Sequence, residues 1–176
     1  MAFATTQSAA AAAGLAWMAV ERVRHGKVTS LGLASGIVAG LVAITPAAGH
    51  VMPWAALLIG ALASVVCFVA VQWQTRLGYD DSLDAFGVHG VGGVLGALLT
   101  GVFCFTPVQG LLYGACSQLA KQALGVAVAL VYAGGVTWVL GKTLQWTMGL
   151  RAHPDVERDG LDLHVHGERG YHLDSV

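Results

Sequence analysis

Asp84-Ala85-Phe86-Gly87-Val88-His89-Gly90-Val91-Gly92-Gly93 opens an apolar run that continues to Phe105 and carries a single imidazole, His89. A run of that length suits a membrane-spanning helix. An imidazole inside one is costly without a partner or a water-filled path, which makes His89 a functional-site candidate. Two readings stay open on the residues alone. His89 is either a structural histidine bonded across a helix interface or a group on the path of an ion, a proton or a small polar molecule. His89, Gly92, Gly93, Gly96 and Thr100 recur at i, i+3, i+4 spacing and predict one common face. On that reading His89 points into the bundle and away from lipid. Asp84, five residues earlier, reads as an N-cap that accepts from the first free amides, in preference to an ion relay.

The rest of the chain has the same character. Charged residues make up 11% of the 176, against about 25% in soluble domains. Between Val28 and Leu150 they are Arg76, Asp80, Asp81, Asp84, Lys121 and Lys142. Such long uncharged stretches belong in a bilayer, and the fold expected is an all-α, polytopic transmembrane helix bundle. A net charge of −1 gives no support for a nucleic-acid partner. Cys67, Cys104 and Cys116 are odd in number and lack metal-ligand spacing, so they read as small packing residues. No basic residue precedes the first apolar stretch, which reads as a spanning helix and not as a secretory leader.

Five hydrophobic segments are predicted, at about 2–20, 31–48, 53–76, 85–105 and 113–150, followed by a polar tail over 151–176. The fifth, if helical throughout, is about 55 Å long at ~1.5 Å per residue and must tilt or project. Arg22, Arg24 and Lys27 lie in the first loop with Glu21, Arg76 lies in the third, and Arg151, Arg158 and Arg169 lie in the tail. The second loop (49–52) and the fourth (106–112) carry no lysine or arginine. The positive-inside rule then places the chain's N-terminus outside and its C-terminus in the cytoplasm of a multi-pass plasma (inner) membrane protein. Gly36-x-x-x-Gly40, Gly92-x-x-x-Gly96 and Gly87-x-x-Gly90 lay smooth stripes on the second and fourth helices, where backbones can approach closely. His164-x-His166 lacks a third ligand for a metal. No acid, base and metal set converges as an enzyme would need, so neither catalysis nor a cofactor is expected.

Three ordered motifs carry a family resemblance. Asp84 with Phe86-Gly87-Val88-His89-Gly90 resembles the Asp-x-Phe-Gly-Val-His-Gly motif of the ammonium transporter (Amt/Mep/Rh) family. Ser35-Gly36, Ala39-Gly40-Leu41-Val42 and Thr45-Pro46-Ala47, with Gly49, are similar to that family's SG-x-x-AGLV-x-x-TPA-x-G signature. Gly160-Leu161-Asp162, His166-Gly167-Glu168 and Tyr171 resemble its cytoplasmic GLD-x-x-x-HGE-x-x-Y tail. Two departures stand out. Gly26-Lys27-Val28-Thr29-Ser30 replaces a common Gly-Lys-Pro-Ser, and Ala85 stands where valine commonly narrows the pore.

The resemblance implies an eleven-helix transporter of two inverted five-helix repeats and a long final helix, with this chain matching helices seven to eleven. The first repeat's pore histidine, aromatic gate and outer cation site then lie outside it. Since such sites form between repeats, the chain alone is not expected to make a complete pore. The implied function is ammonium and methylammonium transport, with deprotonation outside and passage of ammonia past a histidine pair of which His89 is the second. An imidazole suits that role because it accepts and donates protons. Ala85 and Thr45 would line the path, although Thr45 reads first as shaping the helix end with Pro46. Asp84, Phe86, Gly87, Gly90 and Gly93 would support the pore helix. Gly160, Asp162, His166, Gly167, Glu168 and Tyr171 would order a tail that packs under the bundle, couples subunits of a homotrimer and meets a PII-type signalling protein. A disordered tail is the alternative on composition alone. Two other functions compete: an ammonium sensor signalling through its tail, and a truncated fragment that inserts in lipid without conducting.

Overall fold

A computed structural model describes residues 1–168. Among them the regular structure is helical: α1 (Ala2–His25), α2 (Ser30–Ile44), α3 (Pro53–Leu77), α4 (Val91–Phe103), α5 (Cys116–Thr147) and α6 (Pro154–Asp159). A wide turn of π-helical geometry (Ala85–Gly90) leads into α4. The chain divides into two compact units, residues 1–129 and residues 130–176.

In the first unit the helix ends follow from local chemistry. Gly26 and Gly78 take left-handed conformations (φ 73° and 71°) and stop α1 and α3. At α3 the amide of Tyr79 returns to the Gln74 carbonyl at 3.2 Å, satisfying one of the helix's last acceptors. Proline sits in the first turn of α3, where its missing N–H costs nothing. Thr29 caps α2 by accepting from the Gly32 amide at 2.9 Å. Its own amide and hydroxyl donate to Glu21 at 2.9 and 2.8 Å. Glu21, expected in a loop, therefore lies within α1 as a buried residue that ties α1 to the start of α2.

Small residues set the packing. A Cβ on Gly40 would lie 2.7 Å from the Ala9 carbonyl oxygen, and one on Gly60 would collide with that same oxygen. A Cβ on Gly96 would lie 2.7 Å from Ala43 Cα. Where lipid tails remove the hydrophobic drive between helices, such approaches supply the van der Waals contact that holds them. One core cluster gathers Ala9, Ala43, Ile44, Ala47, Val51 and Ile59; another gathers Trp17, Ala39, Cys67, Phe68 and Val88. Trp17 meets Phe68 edge-on at 5.2 Å, worth about 1 kcal/mol beyond its area. α1 and α2 run antiparallel. α4 starts where α3 ends, and its far end reaches Trp54, 5.8 Å from Phe103.

Among the described residues, three segments are long and apolar enough to cross a membrane: Pro53–Leu77, Ala85–Phe103 and Cys116–Thr147. α2 has 15 residues and spans about 22 Å at ~1.5 Å per residue, short of the ~30 Å hydrocarbon core. The predicted second segment ran to residue 48, but beyond Ile44 the chain passes through successive turns to Gly49 (φ 82°). α5 holds 32 residues, none of them buried, and begins and ends three residues inside the predicted limits. Cys67 and Cys104 are buried as expected of packing residues, whereas Cys116 is exposed.

In the second unit, Arg151 donates to both carboxylate oxygens of Glu157 at 2.8 and 3.1 Å. His164 Nε2 lies 3.3 Å from Asp159 Oδ2. The Glu168 amide donates to the Asp162 carbonyl at 3.1 Å, with Gly167 left-handed between them (φ 68°). Gly160 precedes this turn, also at positive φ. Tyr171 lies outside the described residues.

Candidate functional site

His89 sits near the end of the wide turn, where α3 ends and α2 begins. Val91 donates its amide to the Phe86 carbonyl, an i→i+5 bond that puts more residues in the turn than an α-helix holds. That widening changes the face on which His89 falls. Gly92, Gly96 and Thr100 are buried against α2 and α3, as their stripe predicts. His89 is exposed instead of pointing into the bundle, and Gly93 has nothing within 4 Å of its Cβ direction. Val88 is the side chain that goes inward, and its carbonyl accepts from the Cys67 thiol at 3.7 Å. The 3.6-residue period used for the sequence reading does not hold across a turn of this kind.

His89 borders a hollow of about 290 Å³ that it shares with Asp84, Leu83 and Val88 and with Leu31, Ala34, Ser35 and Val38 of α2. Its polar rim is thus an imidazole, a carboxylate and a hydroxyl. Such a set can accept and donate protons and solvate a small cation. Ala85, expected beside His89, lines a different cleft of about 660 Å³ with Phe86, Trp73, Gln74, Leu77, Tyr79 and Asp81. Thr45 lies at the opposite end of α2, exposed, with its hydroxyl donating to the Leu41 carbonyl at 2.7 Å. His89 and Thr45 are therefore not brought together. The phenyl ring of Phe86 reaches within 3.1 Å of a Cβ built on Gly90.

The capping assignment also changes. Asp84 occupies the N-cap position but makes no side-chain capping bond, and its backbone is left-handed (φ 52°). Asp81 does the capping. Its Oδ1 accepts from the Ala85 amide at 2.8 Å and its Oδ2 from the Phe86 amide at 2.8 Å. Gln74 Nε2 donates to Oδ2 at 2.9 Å. Desolvation pushes the Asp81 carboxyl upward, but bonds from Phe86, Gln74, Ala85 and Gly87 outweigh it and hold the group below the usual carboxylate range. Asp84 shifts the other way: burial raises its carboxyl, and the charge on Asp81 adds to the rise. In the sequence Asp81 is one loop charge and Ser35 one motif residue, with no site role expected of either, and none was expected of Gln74. Gln74, an amide within an apolar helix, was the legible hint.

Among the described residues, no group of three or more His, Cys, Asp and Glu side chains is arranged to hold a metal ion. At the other end of the bundle, the Phe105 amide donates to the His50 carbonyl at 2.9 Å, and His50 Nδ1 lies 3.0 Å from the Thr106 carbonyl oxygen.

A profile of the Ammonium Transporter Family matches residues 1–171. The chain belongs to the ammonium transporter family. It is 47% identical over 180 aligned residues to an ammonium transporter of Mycobacterium tuberculosis, covering 96% of this chain and 38% of that protein. It is 46% identical to the ammonium transporter of Bacillus subtilis, covering 97% of this chain and 44% of the relative. The crystal structure of Saccharomyces cerevisiae Mep2 superposes with a TM-score of 0.83 at 38% identity, over 88% of this chain and 37% of Mep2. A structure described as a sensor Amt protein gives a TM-score of 0.86 at 31% identity, over 94% of this chain and 41% of the other. The chain thus spans about two fifths of the length of the relatives it matches. This is a family of multi-pass membrane transporters, not of enzymes.

Proposed function

We propose that this chain forms the His89 side of a path for ammonium, ammonia and methylammonium across a cell's plasma (inner) membrane. The observation that carries the reading is the hollow where His89, Asp84 and Ser35 meet, within a chain that matches the family almost throughout. Stripping water from an ammonium ion without compensation is prohibitive. A neutral ammonia molecule passing an imidazole avoids that cost, and the released proton needs a group that binds it reversibly. His89 is the residue proposed for this, as the second of a histidine pair whose partner belongs to a repeat not present in these residues. Asp84 and Ser35 line the exit, Ala85 and Phe86 belong to the supporting wall, and Thr45 marks the opposite mouth.

The membrane orientation is proposed on charge. Arg22, Arg24, Lys27 and Arg76 all lie at the His89 end of the bundle, where Arg24 and Arg76 border a common hollow. The other end, residues 45–52 and 104–115, carries no lysine or arginine. The His89 end is then cytoplasmic. We assign a homotrimer to the complete assembly, 1–150 to the transmembrane part and 151–176 to a cytoplasmic tail able to meet a PII-type signalling protein. Gly160, Asp162, His166, Gly167 and Glu168, which turn the chain there, carry that contact together with Tyr171.

A chimera tests the function. The corresponding C-terminal portion of the Bacillus subtilis relative is replaced by this chain and expressed in cells lacking their own ammonium transporters. Uptake of labelled methylammonium well above the empty-vector rate is expected. A chimera that reaches the membrane and takes up none would refute the reading.

A further inference from the structure

Two side chains, Asp81 and Gln74, meet under the wide turn, and neither belongs to the motif that carries His89. Asp81 spends both carboxylate oxygens on consecutive amides, Ala85 and Phe86, each at 2.8 Å. Gln74, on α3, holds that carboxylate from behind at 2.9 Å. Gly87 completes the joint, because a Cβ there would collide with Gln74 Oε1 and come within 2.8 Å of Val71 Cγ2. Without Asp81 the first amides of the turn would have no acceptor, since they precede the first helical bond. The next bond along runs from the Val88 amide to the Asp84 carbonyl at 2.8 Å, with Asp84 left-handed (φ 52°). A non-glycine residue adopts that conformation only at a cost, so the surroundings must enforce it.

We propose that Asp81, braced by Gln74, is the positioning residue for His89: it fixes the wide turn Ala85–Gly90 and so sets where the imidazole stands at the hollow it lines with Asp84 and Ser35. The proposal rests on the conduction reading for its purpose but not for its geometry. A charged acceptor of two amides is worth more than a neutral one, and α3 packs against α1, α2 and α4. The brace therefore ties the His89 ring to the scaffold through three residues of rigid turn. Charge-assisted bonds to Asp81 also agree with its carboxyl lying below the usual range. Asp84 supplies conformation and a rim carboxylate, and Asp81 supplies the hold.

The test uses the 176-residue chain in lipid nanodiscs, with backbone amides and histidine rings labelled with ¹⁵N, and it requires no conduction. Amide exchange at Ala85 and Phe86 reads the cap; the ring nitrogens of His89 read its surroundings; the Gly96 amide reports the intact α2–α4 seam. In Asp81→Ala, exchange at Ala85 and Phe86 is expected to rise about tenfold or more and the His89 ring signals to move or multiply, with Gly96 unchanged. Asp81→Asn keeps one acceptor oxygen and should fall between the two. A folded Asp81→Ala chain whose Ala85 and Phe86 amides open while the His89 ring signals stay native would overturn the proposal. If Asp81→Ala does not fold, Asp81→Asn decides by the same criterion. Failure of the chimera to transport methylammonium would refute the conduction reading and leave this result standing.

Discussion

Two carboxylates three residues apart have opposite energetics, and pH separates them. Asp81 is held below its ordinary value by the bonds it accepts, so its contribution to the turn is present above that value and lost as pH falls through its lowered one. Asp84 is raised first by burial and then by Asp81, so its ionisation opposes folding; acidification through its raised value removes that penalty. Amide protection at Val88 is therefore expected to increase on mild acidification and to collapse only at lower pH, as exchange measured across the acid range would record. Monotonic loss from neutrality downward would contradict these directions. Asp84→Asn should be neutral or stabilising by up to about 0.5 kcal/mol, because asparagine tolerates left-handed backbone well and carries no charge. Thermal unfolding in detergent measures it. The sequence shows both aspartates but not which one caps, since an acceptor three positions before the N-cap is set by the loop's path and not by spacing.

At the level of elements, the fourth segment divides into a wide turn and an α-helix with different rules. In α4 the glycine periodicity is legible at Gly96 and Gly101, where a Cβ would meet a neighbouring backbone, and at Gly92, where it would meet side chains of Cys67 and Val42. Gly96→Ala should force α4 off Ala43 and cost about 2 kcal/mol. Gly93→Ala, with open space around it, should gain some of the ~1 kcal/mol that alanine holds over glycine in a helix. Unfolding midpoints of the two variants should move in opposite directions; equal losses would contradict the seam. In the wide turn the same periodicity misleads, which is why His89 was expected inward and lies at the rim. Helix existence was readable from apolar runs, and the ends of α3 were readable where Pro53 and Gly78 mark them, whereas α1 runs past the expected residue 20 to His25, before Gly26. Pro46 marks the break after Ile44, although the segment was expected to run to residue 48. The burial of Glu21 depends instead on its bonds to Thr29 at the start of the next helix, which no local pattern encodes.

For the molecule as a whole, the family was legible because three motifs recur in order, and charge asymmetry between loops gave an orientation that can be tested on a native residue. Cys116 is exposed at the end of the bundle without basic residues, whereas Cys67 and Cys104 are buried. A membrane-impermeant maleimide applied to intact cells should label Cys116 and lose its target in Cys116→Ser. Labelling only after the membrane is opened would invert the proposed orientation. The proposed conduction path is less readable, because the partner histidine proposed for His89 is not among these residues and the chain covers about two fifths of its relatives. The most direct measurement of the central claim is the initial rate of labelled methylammonium uptake by the Bacillus subtilis chimera with and without His89→Ala. This substitution is expected to abolish selective uptake while membrane insertion and protein level stay unchanged. Uptake at the unsubstituted rate would mean that His89 does not line the path.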